Sequence, residues 1–290
     1  MNSAINWKDS YYVSKERVVL TNDQVPIPGV RVLAHHQTSN AVSSLQPHYH
    51  EHCFEFTFAV DGAFVFHANE KNYTVSGGDI FVAYPDEIHS TDTFPMAHGE
   101  IYWLQLDISV LSRLLFLTDD AARSLVDSLL SIGRHVIKNS DPELLNTLRN
   151  AFQLAQTNAN PYLIASYLVL FLNLLANTPR EKQTLSKEIY QALNYIYDHI
   201  TAEISLEDLA YCCNLSVPQF KVRFKQEVGI SPRSFINMQK IEVSKSMLLD
   251  GMSKTEAALQ LGFNTSSYFA TVFKKYTTLT PSEFVKQQKK

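Results

Sequence analysis

The 290-residue sequence contains only three cysteines, Cys53, Cys212 and Cys213. An odd number in a long chain makes no disulfide framework, and the adjacent pair lacks the spacing of a zinc site. All three read as reduced core thiols, as expected of a cytoplasmic protein. No apolar run reaches the ~18–20 residues that span a bilayer. The longest, YLIASYLVLFLNLLA over Tyr162–Ala176, reads instead as a buried or dimer-forming helix, so no membrane partner is expected. The opening MNSAINWKDSYYV has no basic segment followed by an apolar run, so no signal peptide is expected. Charged residues are sparse at 19% against 45% hydrophobic, a balance that excludes a disordered chain. Histidine is nearly missing from the C-terminal part: eight of the ten precede Gly99, so imidazole chemistry belongs to the N-terminal part.

The length predicts two domains, each with its own core. Charge divides the same way. Residues 184–290 carry 13 Lys+Arg against 10 Asp+Glu, a balance of +3, whereas residues 1–183 carry 12 against 19, or −7. A mildly basic C-terminal third is where an anionic partner would dock.

Between Arg31 and Asp107 short aromatic and β-branched runs alternate with turn signals. CFEFTFAV (53–60) places Phe54, Phe56 and Phe58 on one face and Cys53, Glu55 and Thr57 on the other. Asp61-Gly62 predicts a tight hairpin before AFVFHA, and NEKN (69–72) a second turn. Strands at this spacing predict a small barrel or sandwich. From Val110 the period becomes helical, through LSRLLF, ARSLVDSLLSIGRHVI, PELLNTLRNAFQLAQ and Tyr162–Ala176, and then a polar linker follows over 177–186. Everything after Leu185 reads as helix and short turn.

The C-terminal third is written twice. SLEDLAYCCNLS (205–216) matches SKTEAALQLGFN (253–264) at a shift of 48, and QFKVRFKQEVGISPRSF (219–235) matches YFATVFKKYTTLTPSEF (268–284) at a shift of 49. Each copy has a helix, a turn, a polar helix start and a second helix, which is a helix-turn-helix. Ser216-x-x-Gln219 is a capping-box start with Pro218 in the first turn. In each second helix a Phe pair at i and i+4 faces inward: Phe220 with Phe224, and Phe269 with Phe273. The opposite faces then carry Pro218, Gln219, Lys221, Val222 and Lys225 in the first copy. Those of the second are Ser266, Ser267, Ala270, Thr271, Lys274 and Lys275. Lys and Ser can reach base edges, and small apolar groups can meet a thymine methyl, so the expected partner is double-stranded DNA. A helix over Phe235–Leu249, ~22 Å long, would hold the two reading helices about one DNA turn apart.

SVPQFKVRFKQEVGISPRSFI and LGFNTSSYFATVFKKYTTLTPSEF resemble the tandem helix-turn-helix domain of AraC-type transcriptional regulators, over Leu185–Val285. The N-terminal half, through GGDIFVAYPDEIHS (77–90), resembles the cupin-like effector-binding domain of the sugar-responsive branch. The chain departs from that pattern at Val222 and Thr271, where many relatives carry Arg, and at Thr278, where many carry Gly. The resemblance implies an α+β two-domain fold: an N-terminal cupin-like β-barrel plus helices, then an all-α domain with two helix-turn-helix motifs. The expected boundaries are an N-terminal arm over 1–20, the barrel over 21–109 and a helical packing or dimerisation segment over 110–176. After the 177–186 linker, the DNA-binding domain runs over 187–290, with units at 204–229 and 252–278 joined by a linker helix.

It also implies a homodimer that binds a small-molecule effector, first a sugar, without catalysis. An activator of this kind would engage RNA polymerase. The candidate effector contacts are His48, His50, Glu55, His89 and Trp103. Trp103 resembles the tryptophan on which a sugar ring stacks in arabinose-type sensors, although a plain core role suits it equally. HYHEHCFE (48–55) supplies a second reading. Cupin enzymes bind metal through His-x-His, a Glu five residues on and a later His, and His48, His50, Glu55 and His89 fit that pattern. The expectation is an effector pocket with no resident cofactor or metal. The rival is a metal-dependent cupin enzyme joined to a DNA-binding module. His52 leaves open which histidine pair faces inward. Trp7, Tyr11 and Tyr12 on the arm either fold over the pocket or pack on the barrel wall.

Overall fold

Alternating aromatic and β-branched residues form nine strands among the residues described by the computed structural model, which are 14–138, 141–179 and 185–288. In chain order they are β1 (Arg17–Thr21), β2 (Val30–Thr38), β3 (Cys53–Asp61), β4 (Ala63–Ala68), β5 (Lys71–Ser76), β6 (Ile80–Ala83), β7 (His89–Ser90), β8 (Gly99–Asp107) and β9 (Val136–Ile137). One sheet has the order β1-β2-β8-β3-β6-β9 and the other β5-β4-β7. Trp7, Tyr11 and Tyr12 lie outside the described residues. Of the segment expected to be an N-terminal arm (1–20), Arg17–Leu20 joins the sheet, because β1 pairs with β2 along its whole length.

The two turns that the sequence predicts behave differently. Asn69 and Glu70 both take positive φ, 48° and 59°, and join β4 to β5 with Ala68 opposite Lys71. This is the two-residue turn whose twist suits a hairpin. Asp61-Gly62 closes no hairpin: β3 pairs with β6 and β8, and the chain passes at Gly62 (φ 103°) into the other sheet.

The central strand β3 is buried on both faces over Cys53–Ala59. Phe54, Phe56 and Phe58 stand opposite Leu106, Leu104 and Tyr102 of β8 and share a core with helices α1 (Asp119–Leu130), α2 (Pro142–Gln156) and α3 (Pro161–Ala176). Leu125, Leu148, Phe152, Leu168 and Phe171 belong to that core. Each fully buried Phe or Leu contributes ~1.5–3 kcal/mol. On the reverse face Glu55 stands opposite Gln105 and Thr57 opposite Trp103. The helical reading fails in two places. LSRLLF forms only a 3-10 turn at Leu114–Phe116. α1 stops at Leu130, so GRHVI is not helical: the chain turns at Gly133 (φ 62°) and ends in β9, whose β-branched pair covers the edge of β6.

Contacts divide the chain into two units; the second comprises Gln183–Lys290 with the short segments Ser39–Ser43 and Pro95–His98. It contains α4 (Lys187–Asp198), α5 (Leu206–Cys212), α6 (Val217–Val228), α7 (Pro232–Leu249), α8 (Lys254–Gln260), α9 (Ser266–Thr277) and α10 (Pro281–Gln288). Side-chain caps explain the starts of α4 to α9: Ser186, Ser205, Ser216, Ser231, Ser253 and Thr265 each accept a backbone N–H of the first turn. Full capping boxes form at Ser216/Gln219 and Ser253/Glu256. The helix-turn-helix bends need left-handed backbone, supplied by Asn214 (φ 53°) and Gly262 (φ 65°) at matching places. Phe220, Phe224, Phe269 and Phe273 are fully buried, as the repeat predicted. The linker helix begins three residues earlier than expected, at Pro232, which makes it 18 residues and ~27 Å long.

Candidate functional site

Burying the Phe pairs fixes which side of α6 and α9 meets solvent. On α6, Pro218, Gln219, Lys221, Val222 and Lys225 are exposed. On α9, Ser267, Thr271 and Lys274 are exposed, and Ser266, Ala270 and Lys275 are half-buried. Gln219 and Thr271 are partly committed. The Gln219 carboxamide oxygen accepts the Ser216 N–H and hydroxyl at 3.1 and 2.8 Å. The Thr271 hydroxyl donates to the Ser267 carbonyl at 3.1 Å. The one arginine of α6, Arg223, clasps helices together: it donates to Glu227 at 3.0 Å and Glu188 at 3.3 Å, and Glu227 in turn accepts from Ser186.

A cavity of about 680 Å³ separates the two helix-turn-helix units. Lys221, Arg233, Asn237, Asn264 and Tyr268 line it. Neither Arg233 nor Tyr268 is among the residues expected from the sequence; Tyr268 falls at the repeat position of Gln219 and is half exposed. Lys240, also in the wall, is buried and donates to the Ala202 carbonyl at 2.8 Å; burial holds its pKa below the ordinary lysine value. It is a structural group.

In the N-terminal unit four residues of the sequence set, His48, His50, Glu55 and His89, come together. His48 and His89 face each other across a backbone bridge, with rings 4.3 Å apart, and His50 lies 5.2 and 5.3 Å from them. All three are buried, and one nitrogen from each lies within 4.8 Å of the others. His52 turns away: its φ is 54°, its ring is exposed, and it lies 3.6 Å from Asp86. The register is therefore His48 and His50 in, His52 out.

Glu55, on the inner face of β3, joins this cluster. Its Oε2 accepts from His50 Nε2 at 3.1 Å and Gln105 Nε2 at 2.9 Å, while its Oε1 accepts from the Thr57 hydroxyl at 3.3 Å and lies 3.8 Å from His89 Nε2. Burial works to raise its pKa, but the His50 hydrogen bond and the neighbouring imidazoles hold the carboxyl well below the usual range. Burial, then the nearby His89, pulls His48 down to about 4, and burial lowers His89 as well. Both rings are neutral at neutral pH. Their Nδ1 atoms lie on carbonyl oxygens, of Gln46 at 2.7 Å and Glu87 at 3.0 Å, and a carbonyl only accepts, so Nδ1 carries the proton and Nε2 keeps its lone pair. His89 Nε2 and Gln105 Oε1 are buried without a hydrogen-bond partner, a cost of ~1–3 kcal/mol each when unanswered.

Gln105 was not foreseen; a Gln on an alternating strand carries no motif. Trp103 shares the inner face but sits beside Thr57 rather than in the cluster, with the Arg17 guanidinium 4.7 Å over its ring.

A duplicated helix-turn-helix unit and a strand-rich unit with a polar interior together define a DNA-binding regulator with a ligand-binding domain. Residues 30–172 match the model of the AraC-like ligand binding domain, and residues 209–287 match a helix-turn-helix domain model. The chain belongs to the AraC family of transcriptional regulators. It is 23% identical over 252 residues to the HTH-type transcriptional activator RhaS of Enterobacter sp. (strain 638), covering 82% of this chain and 86% of that one. It is 35% identical over 96 residues to an uncharacterized HTH-type regulator in the cgkA 5′ region of Pseudoalteromonas carrageenovora, covering 33% of this chain and 57% of that one. Among solved structures, the C-terminal domain of the response regulator AraT from Geobacillus stearothermophilus is 30% identical, with a TM-score of 0.35 over 36% of this chain and 87% of that one.

Proposed function

We propose that this regulator is a homodimeric, cytoplasmic activator in which a small molecule held by the N-terminal unit alters how the paired helix-turn-helix units engage operator DNA. The observation that carries the reading is the inner face of β3 and β8. It presents Glu55, Thr57, Trp103 and Gln105, all buried, while the outer face of the same strands is apolar and covered by helices. Buried polar groups aimed at an interior suit a hydroxylated ligand that can answer them. A sugar fits that description, and the similar protein RhaS is a transcriptional activator. Stacking on Trp103 requires the ligand to displace or join Arg17. An activator of this design engages RNA polymerase. The effector contacts are then His48, His50, Glu55, His89 and Trp103, with Gln105 added.

For DNA, Lys221, Val222 and Lys225 with Pro218 and Gln219 form the first reading surface. Ser266, Ser267, Ala270, Thr271, Lys274 and Lys275 form the second. The Thr271 back-bond leaves its methyl as the group that meets a base. No helix among the described residues is long and apolar enough to cross a membrane.

The test has two arms. Lys221→Ala and Lys225→Ala should each weaken operator binding by ~1–3 kcal/mol if a base contact is lost, measured by fluorescence anisotropy. A loss confined to one base position marks readout, and a uniform loss marks a phosphate contact. Unchanged affinity in both variants rejects the reading face. A thermal-shift screen against a sugar library should then identify ligands, and His50→Ala should abolish the shift while operator affinity stays near wild type.

A further inference from the structure

We infer that His48, His50, His89 and Glu55 bind one divalent first-row transition-metal ion, and that Gln105 is a positioning residue for the Glu55 carboxylate. Three observations converge on this. First, the nitrogens are gathered: one from each imidazole lies within 4.8 Å of the others, all in buried rings. Ligand bonds of about 2.0–2.1 Å would set them roughly 3 Å apart, so the site closes by small ring movements.

Second, two of the three rings are oriented as ligands. The Nδ1–H groups of His48 and His89 are fixed on the carbonyls of Gln46 and Glu87, which turns both Nε2 lone pairs toward the cluster. A backbone carbonyl behind a histidine is the support that metal-bound imidazoles use, because it sets tautomer and angle together.

Third, the cluster contains what a cation answers. His89 Nε2 is an electron-pair donor in a residue only 1% exposed, it has no hydrogen-bond partner, and it points at Glu55 from 3.8 Å. Gln105 Oε1, also an acceptor, is buried in the same state. An ion takes the first lone pair, and water coordinated to it supplies a proton donor for the second. The ion also balances the Glu55 carboxylate, which is 7% exposed.

Three imidazoles and one carboxylate select Fe, Co, Ni or Zn over Mg and Ca, which prefer all-oxygen shells. Gln105 donates to Glu55 Oε2 at 2.9 Å and lies 3.1 Å from His50 Nε2, so it holds the carboxylate oxygen beside the ring that would share the ion.

The test uses the full chain without effector or DNA, so its failure is separate from any failure of the effector reading. Protein stripped with chelator is titrated with Co²⁺ and followed by visible absorption. Its thermal transition is measured with Co²⁺, Ni²⁺ and Zn²⁺ against Mg²⁺ and Ca²⁺. The expected result is ligand-field absorption that saturates at one Co²⁺ per chain, with a higher transition for the transition metals alone. His89→Ala should lower Co²⁺ affinity at least about 100-fold. Gln105→Ala should lower it by about 10–100-fold and alter the Co²⁺ spectrum. A purely structural Gln105 would change the metal-free melting temperature and leave the spectrum as in wild type. Circular dichroism checks that each variant folds. If His89→Ala does not fold, the wild-type titration decides alone. Wild-type protein with no saturable Co²⁺ absorption and no metal-specific thermal shift overturns the proposal and leaves the orphaned atoms to a bridging water. A folded His89→Ala that binds Co²⁺ as tightly as wild type also overturns it.

Discussion

Replacing Thr278 with glycine should stabilise the second reading helix. Thr278 ends α9 at φ 69° and ψ −18°, in the left-handed region, and its N–H bonds to the Lys274 carbonyl. Gly229 ends α6 in the same way, at φ 85° and ψ −14°, with its N–H on Lys225. The backbone hydrogen bond is therefore the same with and without a side chain, and the difference is the cost of a β-branched residue at positive φ. That cost is ~1–2 kcal/mol. Glycine returns ~0.5–1 kcal/mol through its greater unfolded freedom. Thr278→Gly should gain about 0.5–1 kcal/mol net, which moves the melting temperature of a domain this size up by roughly 2–6 °C. Calorimetry of the full chain, following the transition of the C-terminal unit, measures it. The converse Gly229→Ala should lose about 1 kcal/mol. Operator affinity should stay put in Thr278→Gly, because the position lies past the reading face. If Thr278→Gly gains nothing and Gly229→Ala is silent, the left-handed caps carry no strain and the reasoning fails.

The fragment 184–290 contains both helix-turn-helix units and should fold by circular dichroism. It should bind a half-site more weakly than the full chain, because dimerisation raises the effective concentration of the second module; a folded fragment with no sequence preference at low salt counts against the interface. Acid should destabilise the N-terminal unit through His36 and His48. Burial, then the Arg17 charge, holds His36 down to about 4, and His48 is held there too. Their neutral rings contribute stability that is complete above about pH 6.5 and is lost as pH falls toward about 4, so His36→Gln should flatten the urea-denaturation profile over that window. Leu163 and Leu170 are exposed on α3 at 47% and 44%; if that face joins two copies, Leu163→Glu with Leu170→Glu should turn a dimer into a monomer by sedimentation while the fold stays intact.

The helix-turn-helix pair was legible because its signals are local and repeated. Serine or threonine caps, a Phe pair one turn apart and a left-handed closing residue recur at fixed offsets, and each is present in the folded domain. The barrel was legible in part. Asn69-Glu70 fixes its turn through backbone preference alone, whereas Asp61-Gly62 has the same look and instead carries the chain between sheets. That choice depends on partners distant in sequence. Val136–Ile137 follows a helical run in the sequence and two residues show no period of their own, so only the open edge of β6 makes them a strand. His48, His50, Glu55 and His89 were visible as a motif, while Gln105 becomes a neighbour of Glu55 only through the β3–β8 register.

That register has a mechanical consequence. Glu55 and Thr57 alternate along β3 with Phe54, Phe56 and Phe58, so one backbone is a shared wall: the polar interior touches one side and the helix-packed core the other. Close-packed interiors yield little, and a ring displaced by a few tenths of an ångström has to be answered by its neighbours. Any occupant that draws the Glu55 carboxylate inward therefore pulls on the strand between Phe54 and Phe56, and the load falls on the aliphatic side chains of α1, α2 and α3. The wall works as a lever whose short arm is the carboxylate and whose long arm is a layer of helices.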